Sequence, residues 1–374
     1  MKNKPKILVA MSGGVDSAVV AALLVKKGFD VTGAFMINFQ ALPDELCQTS
    51  SGGAFTGRSV AETCWTGDYQ DALRVAAKLG IKLLKLNFVK EYQETVLKYM
   101  YREYEAGRTP NPDVMCNKFV KFGAWLDKAR EMGFDKMATG HYAGVREKQG
   151  KYFLHTAKDQ NKDQTYFLHQ LNQDQLSRCL FPLEKYKKDK VKKLAKKWQL
   201  PVANKEESMG ICFIGEVPMK KFLINKIDQH HGQVVLSGGD AIAEHDGLAF
   251  YTIGQRYGLP RQDIKNDKTK ALFVVDKNIE TNELIVGFDD DPKLYKQTVM
   301  LKNVNWISGE MTKVPWRGLV RLRHRQPWQK CRILKVLTTG EMEVKFAKPE
   351  RAVTPGQFAV FYKRKICLGG GEIV

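Results

Sequence analysis

Six consecutive residues, Ser12-Gly13-Gly14-Val15-Asp16-Ser17, have the makings of an anion cradle. A short apolar run from Ile7 to Met11 leads into them, and a helical run with Ala18, Ala21, Ala22 and Val25 follows. Strand, glycine turn and helix in that order present unpaired backbone N–H groups at the positive end of a helix dipole. The glycines let the backbone approach phosphate oxygens closely, and the serine hydroxyls add donors. The run is not a Walker loop, because the Gly-Lys-Ser/Thr ending is absent, and it is not G-x-G-x-x-G. Ser-Gly-Gly recurs at Ser51 and Ser237 without a strand before it and a helix after it, and those copies read as loops.

Two thiols stand out next. Cys116 lies in Arg108-Thr109-Pro110-Asn111-Pro112-Asp113-Val114-Met115-Cys116-Asn117-Lys118, where two prolines stiffen the approach to an amphipathic helix expected from about Asn117. A cysteine at a helix N-terminus beside Lys118 is expected to ionise readily, and Asp113 is placed for acid–base work. Cys212, in the glycine-flanked run Met209-Gly210-Ile211-Cys212-Phe213-Ile214-Gly215, reads by itself as a core thiol. Cys47 and Cys64 fall in a long loop, and Cys179, Cys331 and Cys367 read as core or bystander thiols. With no C-x-x-C pair and no His/Cys cluster at ligand spacing, no metal site is expected.

The elements that must position these groups alternate. Strands are expected at Ile7–Met11, Val31–Met36, Ile81–Phe88 and Lys136–Thr139, and helices after the glycine turn, over 68–80 and over about 91–106. Residues 38–66, rich in Ser, Gly and Thr, read as a long loop. Repeated β-α units imply a parallel sheet with helices on both faces, and ligands bind beyond the carboxyl ends of such strands. Gly140 and His141 therefore belong on one rim with the glycine turn and Met36. The lysine-rich stretch 185–197 reads as an amphipathic helix with a basic face. Past about residue 215 short apolar runs and then alternating strands take over, with Arg321, Arg323 and Arg325 expected on one strand face of a small closed β-barrel. The fold class is thus α/β: a Rossmann-like parallel-sheet domain over 1–212, a small central domain over 213–288 and a C-terminal β-barrel over 289–374.

At 374 residues, with 60 Lys+Arg against 41 Asp+Glu, the chain carries a formal charge of +19, which favours a polyanionic partner such as nucleic acid. No apolar stretch approaches the roughly 20 residues needed to span a bilayer. Seven scattered cysteines do not make a secreted disulfide framework, so a cytoplasmic protein with reduced thiols is expected.

SGGVDS resembles the PP-loop of ATP pyrophosphatases, which cleave ATP to AMP and pyrophosphate. Together with GRTPNPDVMCNKFVKF, ATGHYA, NKDQTYFL, GICFIG, YTIGQRYGL and the terminal TPGQFAVFY and CLGGG, in that order, it makes nearly the whole chain similar to the bacterial-type tRNA-specific 2-thiouridylases, the MnmA family. The resemblance implies an adenine nucleotide alpha hydrolase-like domain that uses ATP and Mg²⁺ to adenylate C2 of the wobble uridine of glutamate, glutamine and lysine tRNAs. A persulfide on Cys212, loaded by a sulfur-donor protein, would deliver sulfur; Cys116 would act as nucleophile, with a transient Cys116–Cys212 disulfide. ATP contacts are implied at Ala10, Met11, Ser12, Gly13, Gly14, Val15, Asp16, Ser17, Met36 and Gly140. The target base would meet Asn111, Pro112 and Asp113, the last as acid or base. Other tRNA contacts are implied at His141, at Lys162, Asp163 and Gln164, at Arg323 and His324, and at Gln357. His324 stands where the family more often has Tyr, Met209 where many relatives have Thr, and the loop at 44–66 is longer than usual. Another PP-loop tRNA-modifying ATPase and a non-catalytic nucleotide-responsive RNA-binding protein stand as alternative readings.

Overall fold

The computed structural model describes residues 4–39, 65–206, 219–224, 226–258 and 271–374. Cys47, Cys64, Met209, Cys212 and most of the 38–66 loop lie outside the described residues. The apolar run that opens the chain forms β1 (Lys6–Ala10), with Ile7, Leu8 and Val9 fully buried. It pairs in parallel with β2 (Asp30–Ile37), which pairs with β3 (Leu83–Asn87). On the other side β1 pairs with β4 (Lys136–Ala138). The hairpin β5 (Ala143–Lys148) and β6 (Lys151–Thr156) leaves this layer, and β7 (Cys179–Leu180) completes the sheet in the order β3-β2-β1-β4-β7.

Period-two alternation loads both faces of the sheet. Leu8, Ala34 and Met36 join one core with Cys116, Phe122 and Trp125, while Ile7, Val9, Phe35 and Ile37 pack with the first helix, Val15–Lys26. The helix Thr66–Leu79 ends on Gly80, whose φ of 65° suits a residue without Cβ. Strand order reverses on either side of β1, so the crevice between the ends of β1 and β4 is the switch point where α/β sheets bind ligands.

The central unit comprises β8 (Gly232–Leu236), β9 (Ala241–His245), β10 (Arg256–Tyr257), β11 (Leu272–Asn278) and β12 (Glu283–Gly287). They order as β10-β11-β12-β8-β9 around Val234, Leu272, Val274, Leu284 and Val286. The last domain contains β13 (Tyr295–Trp306), β14 (Trp316–Arg321), β15 (Gln329–Val336), β16 (Met342–Arg351), β17 (Phe358–Lys363) and β18 (Ile366–Ile373). The antiparallel order β13-β16-β15-β14-β17-β18 closes through a β13–β18 pairing, giving the expected barrel. The first domain's hairpin continues this sheet: β6 pairs with β18 at Ile366↔His155 and Cys367↔Leu154.

One expectation is overturned here. Arg321, Arg323 and Arg325 do not share a solvated strand face, because β14 ends at Arg321 and the next residues turn, Arg325 adopting φ 66°. Arg321 points inward, 5% exposed, and its Nη1 donates to Asp163 Oδ2 at 2.9 Å. That carboxylate also accepts from the Ala157 N–H and the Thr165 hydroxyl. Burial still lifts the Asp163 carboxyl above its ordinary range despite these donors.

Breaking such a pair strands the surviving charge. Asp163→Ala should therefore cost about 3–5 kcal/mol in urea unfolding, whereas an apolar pair, Asp163→Leu with Arg321→Met, should recover most of the loss. Equal losses in both variants would rule out an unpaired buried charge as the cause.

Candidate functional site

The glycine turn runs beyond β1 and is braced from within. Ser17 Oγ donates to Gly14 O at 3.0 Å and accepts the Ser12 N–H at 3.2 Å. Gly13 has φ +74°, and a Cβ there would stand 2.3 Å from Asp68 O. Only glycine lets the turn lie this close to the helix Thr66–Leu79. Gly14 caps the first helix with its own backbone, so no side chain occupies the orphan N–H groups. Across the switch point, a Cβ on Gly140 would come within 3.2 Å of Ser17 N and Asp16 Cβ. Met11, Val15 and Met36 are buried, with Met11 N–H bonded to Ala34 O at 2.8 Å. The structure thus brings Ser12, Gly14, Asp16, Ser17 and Gly140 together beyond the ends of β1 and β4.

Two partners at this rim escaped the sequence reading. Asp16 accepts from Tyr142 OH at 3.0 Å and from Lys188 Nζ at 2.8 Å to each carboxylate oxygen. Lys188 opens the basic helix Lys188–Lys197 and is buried, so one of that helix's lysines serves the loop. Immediately beyond β2, Asn38 is 2% exposed, and neither its Nδ2 nor its Oδ1 has a hydrogen-bond partner among the described residues. A buried amide with both ends idle is costly unless a ligand satisfies it. Its donor and acceptor together match a nucleobase edge.

The Cys116 segment differs from expectation. The helix begins at Pro112, not near Asn117: Asn111 is its N-cap, its side chain accepting the Val114 N–H at 3.3 Å. Proline suits the first helical position, where the missing N–H is not needed. Pro112–Met115 runs on through the π-wound Cys116–Ala124 into Trp125–Glu131. The Cys116 N–H donates to the Asp113 and Pro112 carbonyls, so Cys116 lies a turn inside the helix and one turn after half-buried Asp113. Cys116 is buried, only 1% exposed. Lys118 sends its ammonium to Gln170 Oε1 at 3.1 Å, and burial lowers its pKa.

The barrel grips the approach to this helix. Gln357 accepts from Asn111 Nδ2 at 3.1 Å and donates to the Thr109 and Pro110 carbonyls at 2.9 and 3.0 Å. Thr109 N–H bonds Pro355 O, and Lys277 of the central unit donates to Gly107 O.

The remaining tRNA-assigned residues form one neighbourhood with distinct postures. His324 Nε2 lies 3.1 Å from Asp163 O, and its ring meets Phe167 at 4.6 Å. Gln164 exchanges two bonds with the Tyr142 backbone, Asp163 is enclosed as described, and Lys162 remains partly accessible. Arg323 donates to the Arg351 and Ala352 carbonyls while its surface stays exposed. His141 bonds Thr139 Oγ1 at 2.7 Å between Phe122 and Phe181, and burial and then Lys121 hold it neutral. Burial first, then Arg325, lowers His324 to about 4.

The fold and site define an α/β protein with a glycine loop at the switch point of its sheet and a barrel bonded to the start of the helix that carries a buried cysteine. A family model described as the tRNA methyl transferase HUP domain matches residues 5–216. The tRNA methyl transferase PRC-barrel domain model matches 220–288, and the aminomethyltransferase beta-barrel domain model matches 296–373. A tRNA-specific 2-thiouridylase MnmA of Methylobacillus flagellatus is 43% identical over 372 residues, 99% of each chain. That of Halalkalibacterium halodurans is 44% identical, covering 99% of this chain and 95% of the relative. The chain belongs to the tRNA-specific 2-thiouridylase family. A solved 4-thiouridine synthetase–RNA complex with bound ATP overlaps 60% of this chain and 50% of its own at 16% identity, with a TM-score of 0.37.

The histidines give a pH test. Between about 4 and the ordinary value near 6.5, unfolded His324 binds a proton that the folded ring refuses. The unfolded state then holds more protons, so this contribution to stability falls as pH drops through that window. His324→Phe, which keeps the contact with Phe167, should flatten the dependence of urea unfolding on pH between about 6.5 and 4 by up to one proton. An unchanged slope would place the neutral histidine elsewhere.

Proposed function

We propose that this protein is an ATP-dependent tRNA 2-thiouridylase acting on the wobble uridine. One observation supports the reading: the glycine loop beyond β1 is braced by Ser17 and packed against Gly140 at the switch point of the sheet. The loop N–H groups and Ser12 and Ser17 would bind the phosphates of ATP, and Asn38 the adenine edge. Gly140 lets the end of β4 pack directly against the loop at Asp16 and Ser17. Mg²⁺ would arrive with ATP; Asp16, the loop's own carboxylate, is already held by Lys188 and Tyr142 and is given no role as its ligand.

The uridine C2 oxygen attacks the α-phosphorus, pyrophosphate leaves, and the poor leaving group becomes AMP. Asp113 would take up or return the uridine proton, with Asn111 and Pro112 lining the base. Persulfide sulfur on Cys212 then adds at C2 and expels AMP. The Cys116 thiolate attacks the Cys212 sulfur, releasing 2-thiouridine and leaving a Cys116–Cys212 disulfide that an external thiol reductant must reopen. The thiol's burial fits this order, since a shielded Cys116 resists oxidation until substrate opens the site. Glutamate, glutamine and lysine tRNAs are the expected substrates, a persulfide-carrying protein the donor and the cytoplasm the setting.

Nucleoside mass spectrometry on an unmodified tRNA transcript, incubated with protein, Mg-ATP and sulfide, tests the reaction. A sulfur-for-oxygen shift in the wobble uridine is expected; a methyl increment, or AMP formation without any shift, would overturn it. Cys116→Ser and Cys212→Ser should each abolish thiolation, and full activity in either would end the two-thiol scheme. Asn38→Leu should weaken ATP binding about tenfold or more while raising Tm of the nucleotide-free protein, because an unsatisfied buried amide is gone. Unchanged ATP affinity would remove Asn38 from the nucleotide site.

A further inference from the structure

A second concavity, of about 520 Å³, opens where the first domain's β5–β6 hairpin joins the barrel. Arg146, Lys158, Lys185, Arg364 and Lys365 line it against a single carboxylate, Glu184. Glu184 is already committed to Arg146 at 2.7 Å. The side chains of Lys158, Lys185, Arg364 and Lys365 have no acidic partner among the described residues, and all four are exposed. Lys158 and Lys185 come from the nucleotide-binding domain, Arg364 and Lys365 from the barrel. The β6–β18 pairing and the Thr156 N–H to Lys365 O bond at 2.9 Å hold the two pairs together. Folding thus concentrates four unneutralised cations from two domains, which like-charge repulsion opposes unless an anion enters.

The local backbone argues the same way. Arg364 and Lys365 form the two-residue connection between β17 and β18, and Arg364 adopts φ 56°. Tight hairpin connections favour Asn, Asp or Gly at such positions. Two long cations stand there at a conformational cost, a local conflict of the sort found at working sites. The arginine fork and the lysine ammonium groups suit phosphate oxygens. The partly enclosed His155 has its pKa lowered by burial and Arg146, and adds no competing negative charge.

We propose that this cleft is a phosphodiester-binding groove that holds the tRNA sugar–phosphate backbone away from the reacting base. The assignment rests on the tRNA-modifying reading above and adds a contact surface distinct from the residues that reading uses. Like the wedge between two domains that it occupies, the groove would fix the barrel's orientation on the RNA.

The test compares full-length tRNA binding across a salt series for wild type and for the quadruple variant Lys158→Ala, Lys185→Ala, Arg364→Ala and Lys365→Ala. A second quadruple, Lys293→Ala, Lys296→Ala, Lys313→Ala and Lys348→Ala, removes the same net charge from exposed barrel positions. The cleft variant should lose about three from the slope of log K against log salt, at roughly 0.7–0.9 per phosphate released, with ATP binding unchanged and Tm of the free protein no lower than that of the wild type. The control should lose less than one. Equal losses in both variants, or an unchanged slope in the first, would overturn the proposal. Thiolation by the wild type is scored separately. If it fails while the cleft variant alone loses salt dependence, the groove stands and the reaction does not.

Discussion

The Asp163 carboxylate ties the catalytic sheet to the barrel through bonds that cannot be relaxed one at a time. It accepts from Ala157, Thr165 and Arg321, the last from a different domain. Its neighbour Gln164 is locked to the Tyr142 backbone, and the Tyr142 hydroxyl reaches Asp16 at the start of the first helix. Glycine loop and barrel are therefore joined through a few hydrogen-bonded side chains. Because the interior holds a charged pair whose separation is penalised, the barrel's position over the rim is a discrete arrangement.

That constraint explains why the segment bearing Cys116 is gripped at its entrance. Gln357 satisfies two carbonyls and one amide of residues 109–111, while Lys277 holds Gly107 from the central unit. Burial lowers Lys277 to about 8, and the ammonium still has a carbonyl to donate to. Two prolines restrict the same stretch covalently. A helix start held from both other domains fixes Asn111, Pro112 and Asp113 in one geometry. The same segment carries Cys116, which is buried.

Much of this was legible in the chain. The order of apolar runs and glycine turns announced the parallel sheet, since strands buried on both faces must be continuously apolar. The glycine turn was readable as a strand–turn–helix junction, but the close approaches of Gly13 to Asp68 and of Gly140 to Ser17 were not, since both partners lie far away in sequence. The arginines after β14 were misread because alternation says which residues share a face and not where the strand stops. The helix start was misplaced because Pro112 was taken as a stiffener outside it, although proline at the first helical turn breaks no bond. Lys188, Asn38 and the β6–β18 pairing were invisible for a common reason. Each depends on a partner far away in sequence, or on the absence of one, and neither leaves a local pattern.

The fate of the positive charge follows from the same distinction. A formal excess of +19 predicts a polyanion but not its place. The structure removes Arg321 and Lys188 from that pool, because both are buried against carboxylates. What remains near the two-domain seam is the set whose electrostatics the protein itself leaves unbalanced. Cations consumed internally hold the domains in register, and cations left over mark where an RNA backbone would balance them. The two roles lie close together in the chain: Lys185 opens onto the cleft, and Lys188, three residues later, turns inward to the phosphate loop. RNA held at Lys185 would thus load the segment that positions Asp16, placing backbone recognition and nucleotide binding on one short stretch.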